Sequence, residues 1–170
     1  ITLYSKNNSI KSYNLEAIKE IANLINEGNI VVIKGIGGFH LICDAKNSKT
    51  IEDLRLRKNR PSKPFAVMFK DINSIKEYCQ ISSKEEEILD SLNKPIVLVK
   101  KKNSFDLSPL LAPNIAQLGC FIAYTGLHHL LFRYLNNPIV ATSANLKDEP
   151  IIKSKDEIIE KLSNVVDYIL

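Results

Sequence analysis

The chain has 170 residues, which suits a single domain with a sizeable hydrophobic core. Hydrophobic residues make up 45% and charged residues 25%, and no apolar run approaches the roughly 20 residues that a membrane span needs. The net charge of +4 is modest and the lysines are spread along the chain, so composition gives no argument for nucleic acid.

The predicted elements alternate between helices and strands. Helices are expected over residues 15–27, 48–58, 72–79, 83–92, 127–135 and from Ser154 onward. Strands are expected over residues 29–34, 64–69, 96–102, 119–124, 138–145 and 165–170. Asn14 and Gly28 are predicted to bound the first helix, and Ser83 with Glu86 has the spacing of a capping box. Several strands are close enough in sequence for antiparallel pairing, so we predict one α/β domain with a mixed, twisted sheet.

Three glycines stand within four residues, directly after a predicted strand, at Gly35, Gly37 and Gly38. A Rossmann fingerprint would need a further glycine where His40 stands, and no Walker loop is present. The cluster is either an ordinary turn or a loop whose bare backbone lines a pocket, with Lys34 and His40 at its rim. His40 has apolar neighbours, which also allows a packed core histidine.

Five cations crowd the predicted helix end in "RLRKNRPSKPF", residues 55–65: Arg55, Arg57, Lys58, Arg60 and Lys63. The structural alternative is that these cations only offset the negative end of the helix dipole at the C-terminus of the helix. That alternative does not explain Pro61 and Pro64, which stiffen the turn and fix where the last cations point. Rigid cations suit a polyphosphate, because arginine grips phosphate oxygens as a fork and lysine adds a point charge.

A buried strand is predicted to end in three polar side chains, Thr142, Ser143 and Asn145. Hydroxyls and an amide at a strand end are good donors to a phosphate or a sugar, but they are also common in turns.

Histidines and cysteines give no metal site. His128 and His129 are adjacent on a predicted helix and point about 100° apart, so they cannot ligate one metal as an i, i+4 pair would. A place in the packing or at a pocket edge is expected for them. The cysteines have no C-x-x-C spacing, and we expect three buried, reduced thiols in a cytosolic protein: Cys43, Cys79 and Cys120.

The cationic and polar stretches together resemble a known signature. "KNRPSKPF" followed further along by "TSAN" resembles the Lys-x-Arg…Ser-x-Asn pattern of the YrdC/Sua5 family. The strings "IKGIGGFHLICDA", "LRLRKNRPSKPFAVMFKD", "YTGLHHLLF" and "TSANLKDEPI" are similar to one branch, the YrdC-like domain of HypF-type carbamoyltransferases of [NiFe]-hydrogenase maturation. This second resemblance covers essentially the whole chain, residues 1–170.

The resemblance implies a YrdC/Sua5-like fold with a concave basic groove, in which ATP and a carbamoyl group derived from carbamoyl phosphate form carbamoyl-adenylate, helped by Mg²⁺. Lys58 and Arg60 are the implied catalytic residues, which hold the polyphosphate and stabilise the departing pyrophosphate. The opposite wall would be formed by Thr142, Ser143 and Asn145. The carbamoyl end of the substrate would meet Lys34, Gly37, Gly38 and His40.

The resemblance also implies partners. HypF-type proteins carry zinc-finger and Kae1-like domains beside the YrdC-like domain, so this chain, which begins at Ile1, is expected to be one module of a longer cytoplasmic protein. The carbamoyl group would pass to the C-terminal cysteine of the partner protein HypE. Three alternatives remain: a threonylcarbamoyl-AMP synthase for tRNA modification, an RNA-binding module and a scaffold domain without catalysis. The Gly-Gly-Phe-His segment argues against the first of these, and the scarcity of stacking aromatic residues argues against the second.

Overall fold

The computed structural model describes residues 1–146 and 149–170, and ten strands in these ranges form one sheet. The strands are β1 Thr2–Ser5, β2 Ile10–Tyr13, β3 Val31–Lys34, β4 Phe39–Asp44, β5 Val67–Phe69, β6 Cys79–Gln80, β7 Val97–Lys101, β8 Gln117–Ile122, β9 Ile139–Ser143 and β10 Tyr168–Ile169. Their order across the sheet is β2-β1-β10-β3-β4-β9-β5-β8-β7-β6. The β10–β3 and β5–β8 pairs are parallel and the other pairs are antiparallel, which confirms the predicted mixed sheet.

Helices cover both faces of this sheet. They are α1 Asn14–Asn26, α2 Ser48–Arg57, α3 Ile72–Tyr78, α4 Ser83–Asp90, α5 Gly126–Leu131 and α6 Lys155–Leu162, with a 3₁₀ turn at Pro109–Leu111. The apolar face of α1 and part of α5 pack on one face of the sheet, while α2, α3, α4 and α6 contribute to a second core on the other face. In the described part of the chain, no helix is long and apolar enough to cross a membrane.

Local sequence signals set several helix ends. Gly28, with φ +90°, follows the last turn of α1 as predicted, whereas the N-cap is Tyr13 rather than Asn14. The capping box of α4 is formed by Ser82 and Glu85, one residue before the predicted pair, because the Ser82 side chain accepts from the Glu85 N–H and Glu85 reaches back to the Ser82 N–H. Ser154 caps α6 as predicted, accepting from the Glu157 N–H.

Three features of the sheet are absent from the sequence prediction, and the smallest is the two-residue strand β6, where the predicted helix ran on to residue 79. The second is the N-terminal hairpin of β1 and β2, which extends the sheet beyond β10. The third is β4, whose six residues pair with both β3 and β9, although no strand was predicted between residues 34 and 64. Phe39 and Leu41 enter one core and Ile42 enters the other, so β4 is buried on both faces. A strand buried on both faces loses the alternation that would mark it in sequence.

Candidate phosphate-binding site

Two adjacent clefts lie where β9 ends and the segment after α2 turns back toward β5. The turn cleft, of about 460 Å³, is lined by Lys58, Asn59, Arg60, Pro61, Ser62, Lys63, Ser143, Asn145 and Leu146. The strand cleft, of about 640 Å³, is lined by His40, Arg60, Pro64, Ala66, Met68, Asn93, Lys94, Pro95, Ile96, Phe121, Tyr124, Ala141, Thr142 and Ser143. Arg60 and Ser143 belong to both linings, so they mark the junction of the clefts.

Lys58 joins the two motifs that the sequence singles out. It follows α2 directly, and its ammonium donates to the Ser143 carbonyl (2.9 Å), the Asn145 carbonyl (2.9 Å) and Asn145 Oδ1 (3.0 Å). Burial, and then the charges of Arg60 and Lys63, lower the pKa of Lys58 to about 8. The motif residues that lie far apart in sequence are therefore in direct contact.

The end of β9 holds its polar side chains in a fixed arrangement. Ser143 Oγ donates to Asn145 Oδ1 (2.8 Å), and Asn145 Nδ2 donates to the Glu149 carbonyl (2.7 Å). Thr142 is buried and lines the strand cleft beside Ser143. Two residues of the predicted motif string, Lys147 and Asp148, lie outside the described residues.

Arg60 is held by its own turn. Nε donates to the Lys63 carbonyl (3.2 Å), Nη2 donates to the Pro64 carbonyl (2.6 Å), and the guanidinium lies 4.8 Å from the Phe65 ring centroid. The guanidinium has five N–H donors, so these bonds leave others free to reach a ligand. Burial and the neighbouring Arg55 lower the pKa of Arg60, which is still charged at neutral pH.

The five cations of residues 55–65 do not all point in one direction. Lys58, Arg60 and Lys63 line the turn cleft. Arg57 points away and pairs with Asp167 at 3.1 Å. Arg55 is buried against backbone carbonyls, so neither Arg55 nor Arg57 lines the clefts. A helix turn of 3.6 residues spreads successive side chains around the axis, so crowding in sequence does not mean a common direction.

The glycine cluster forms the tip of the β3–β4 hairpin. The Gly35 N–H donates to the Gly38 carbonyl (2.8 Å), and Lys34 is exposed with its ammonium 5.5 Å from the Phe39 ring centroid. Gly38 has φ +153°, and a Cβ on it would lie 2.8 Å from the Ile152 carbonyl oxygen. The close backbone approach that the glycines permit is therefore to the protein's own chain.

Only His40 of the predicted carbamoyl-pocket residues lines the strand cleft; Lys34, Gly37 and Gly38 stay at the hairpin tip. His40 lies in β4 directly across from Ser143 of β9, which ties it to the cleft junction. Burial lowers the pKa of His40, so its imidazole is neutral at physiological pH.

The paired histidines separate as expected for packing. His128 is buried, its ring meets Tyr124 edge-on at 4.7 Å, and burial followed by His40 and His129 lowers its pKa to about 4. His129 is on the surface. Both lie on one turn of α5, and only one of them can point inward.

Sequence reasoning missed much of the strand cleft. Its apolar wall is formed by side chains such as Met68 and Phe121, which give no signal beyond ordinary strand hydrophobicity. Asn93 and Lys94 reach it from the turn between α4 and β7, and Lys94 has φ +41°. The "NKP" turn ahead of a strand is the only hint that the sequence offers.

The charges of the clefts suit an anion. Their described lining residues include cations but no carboxylate. Within residues 1–146 and 149–170, no group of three or more histidine, cysteine, aspartate or glutamate side chains could hold a metal ion. An anionic ligand would complete the hydrogen bonding of Arg60 and Lys63, while a bare divalent cation would be repelled.

The fold is an α/β domain with a mixed sheet, and cations line a cleft at the end of one strand. Comparison with known proteins identifies the class of protein that has this combination. A family model of Sua5, YciO and YrdC proteins, described as "Telomere recombination", matches residues 23–170. The chain therefore belongs to the Sua5/YciO/YrdC family, as the signature predicts.

Within this family the chain resembles one branch most strongly. It is 44% identical over 155 residues to a carbamoyltransferase HypF of Synechocystis, which covers 91% of this chain and 20% of that protein. It is 40% identical to a full-length HypF crystallised in a phosphate- and nucleotide-bound form, with a TM-score of 0.90 over 98% of this chain and 21% of that one. The chain thus spans about a fifth of the HypF relatives it matches.

The other branch is more distant. A threonylcarbamoyl-AMP synthase of Photobacterium profundum is 23% identical over 161 residues, covering 92% of this chain and 86% of that protein. The match to the YrdC-like domain of HypF is therefore confirmed at the level of the sequence and the fold.

Proposed function

We propose that this chain is the module of a HypF-type carbamoyltransferase that activates a carbamoyl group with ATP and forms carbamoyl-adenylate. The observation that carries the proposal is the contact of Lys58 with Ser143 and Asn145, which assembles the signature residues at the junction of two clefts. The phosphate- and nucleotide-bound form of a HypF relative supports a nucleotide as the ligand.

The turn cleft is the place for the polyphosphate. Arg60 and Lys63 line it without a carboxylate among the described lining residues, and Lys58 adds an ammonium held close to Ser143 and Asn145. Positioning and charge neutralisation are the main requirements of transfer at phosphorus. These cations meet both, because the turn and the strand end hold them before the ligand arrives.

The α-phosphate is placed at the junction, between Arg60 and Ser143. Carbamoyl phosphate first loses its phosphate by hydrolysis and leaves carbamate. A carbamate oxygen then attacks the α-phosphorus, and the bond to the leaving pyrophosphate breaks, so that carbamoyl-adenylate and pyrophosphate form. Arg60 and Lys58 stabilise the charge that builds on the pyrophosphate in the turn cleft. Thr142 and Ser143 line the entry from the strand cleft, where the carbamoyl end lies.

The carbamoyl end is proposed to meet His40. The neutral imidazole lies across from Ser143, and it can donate to or accept from a small polar group without adding charge. Lys34, Gly37 and Gly38 were predicted for the same pocket. Their position at the hairpin tip gives them at most a place at its rim.

Mg²⁺ is proposed as the companion of ATP rather than as an ion bound by this chain. The described lining residues include no carboxylate to hold it, so we assign it no step. When bound it would neutralise phosphate charge.

The remaining partners belong to the longer protein. We propose that residues 1–170 are one module beside zinc-finger and Kae1-like domains, that the protein is cytoplasmic, and that HypE is the carbamoyl acceptor in hydrogenase maturation. The share of the HypF relatives that this chain spans, about a fifth, leaves room for such domains.

Calorimetric titration of Mg-ATP tests the proposal. The parent should bind, and Lys58→Ala and Arg60→Ala should each weaken binding by about 1–3 kcal/mol, the scale of a lost charged hydrogen bond. For Arg60 the lost bond is to the ligand, whereas for Lys58 the lost bonds are those that hold Ser143 and Asn145 beside it. Arg57→Ala is the matched control, because this neighbouring cation pairs with Asp167 away from the clefts. Unchanged affinity in both cleft variants would contradict the placement.

A second measurement separates the two branches of the family. Pyrophosphate exchange into ATP should depend on a source of carbamate, such as hydrolysed carbamoyl phosphate, and be indifferent to L-threonine. Exchange that requires L-threonine would instead assign threonylcarbamoyl-AMP synthesis.

A further inference from the structure

Arg55 lies outside both cleft linings, yet it is the most extensively hydrogen-bonded cation near them. The residue is only 7% exposed. Its Nε and Nη2 donate to the Leu110 carbonyl (2.9 and 2.6 Å), and Nη1 donates to the carbonyls of Arg60 (2.8 Å) and Lys63 (3.2 Å). One side chain therefore connects α2, the turn after it and the 3₁₀ turn at Pro109–Leu111.

The charge of Arg55 is unusual for a buried side chain. Every hydrogen-bond acceptor that the structure records for it is a backbone carbonyl, and no described carboxylate pairs with it. Carbonyl dipoles and the Phe65 ring, 4.6 Å from the guanidinium carbon, solvate the charge without cancelling it. Apolar side chains often stabilise a core as well as buried charges do, so packing alone is a weak reason for arginine here.

Arg55 and Arg60 share their supports. The Lys63 carbonyl accepts from Arg55 Nη1 and from Arg60 Nε, each at 3.2 Å. Both guanidiniums lie over the Phe65 ring, at 4.6 and 4.8 Å. A change at Arg55 therefore alters the acceptor and the ring that orient Arg60.

We propose that Arg55 is a positioning residue, which sets the direction of Arg60 in the clefts by holding the Arg60 and Lys63 carbonyls. The proposal rests on the proposed function where it concerns ATP. Arg55 itself does not touch the ligand. It acts through the turn, and its uncancelled charge adds to the positive potential that an anion meets there.

A double-mutant cycle tests whether Arg55 acts through Arg60. Arg55→Lys keeps the charge but cannot reproduce the guanidinium fork, so it should raise the Kd for Mg-ATP roughly tenfold. In an Arg60→Ala background the same change should have little further effect. An equal loss of affinity in both backgrounds would overturn the proposal.

Ser48→Ala is the matched control for a purely structural loss. Ser48 Oγ donates to Ser108 Oγ (2.8 Å), so it connects α2 to the 3₁₀ segment that Arg55 also holds. Ser48 does not contact the turn that follows α2 and carries Arg60. This variant should lower the unfolding midpoint and leave the Kd for Mg-ATP unchanged. A loss of affinity in Ser48→Ala equal to that in Arg55→Lys would reduce the role of Arg55 to stability.

A measurement without nucleotide keeps the two proposals distinct. The Arg60 Nε–H signal should exchange slowly with solvent in ¹⁵N-labelled parent protein, because it donates to the Lys63 carbonyl. Exchange should be faster in Arg55→Lys and unchanged in Ser48→Ala. Unchanged exchange in Arg55→Lys refutes the positioning role. If exchange is faster in Arg55→Lys but the parent does not bind Mg-ATP, only the proposed function is refuted.

Discussion

We predict that the ammonium of Lys58 makes the proposed nucleotide binding sensitive to pH. It gives its hydrogens to three oxygens of Ser143 and Asn145, and burial lowers its pKa to about 8. A polyphosphate beside it would favour the charged form and raise that pKa. The complex therefore holds more protons than the free protein above pH 8, and affinity is highest below pH 8 and falls as the pH rises through it.

The size of the effect follows from the free-protein pKa. About nine-tenths of the Lys58 side chains are charged at pH 7 and about one-tenth at pH 9, so the Kd for Mg-ATP should rise about tenfold between these values if the neutral amine does not bind. At pH 8, binding should take up about half a proton.

Calorimetry in two buffers of different ionisation enthalpy at pH 8 measures the proton uptake directly. Lys58→Met is the control, since its side chain cannot titrate. A Kd that stays flat between pH 7 and 9 would refute the reasoning. So would an equal proton uptake in the parent and in Lys58→Met, because the titrating group would then lie elsewhere.

Three further predictions concern the fold that carries the site. Gly38→Ala should destabilise the chain by about 1–3 kcal/mol in urea unfolding, because its φ of +153° and the nearby Ile152 carbonyl oxygen leave no room for a Cβ, while Gly37→Ala, facing open space, should have little effect. The three cysteines are free and buried, so a thiol reagent should react slowly with the native protein. In denaturant, the reagent should react with all three thiols. Asp167→Ala should cost about 1–3 kcal/mol, since it leaves the buried Ile30 N–H unpaired. Arg57→Ala removes the partly exposed ion pair and a hydrogen bond to the Val165 carbonyl, and it should cost about 1 kcal/mol or less.

The parts of the site that sequence predicts are those fixed by local chemistry. The two prolines and the helix end place Arg60 and Lys63 at a stiff turn, and the strand end places Ser143 and Asn145. Each motif indicates donors for an anion by itself. Their contact through Lys58 follows from the resemblance to the family, because no local rule states which strand end the turn will face.

The parts that sequence misses depend on packing between distant elements. Residue type alone does not show that Arg55 points inward, since that direction depends on the carbonyl of Leu110 brought in by another segment. The role of the glycines is hidden for a similar reason. Gly38 is needed because Ile152 returns beside it, and Ile152 lies more than a hundred residues further on.

The same long-range contacts explain how the described part of the site holds its cations without a carboxylate partner. Lys58 and Arg55 are both solvated by carbonyl oxygens from other segments, so the folded chain supports their charges at a cost in stability. A carboxylate at either place would stabilise the free protein, but it would cancel the potential that a polyphosphate meets. Backbone carbonyls orient the cations and leave that charge for the ligand, which is the arrangement expected when an anion must bind before its pyrophosphate can leave.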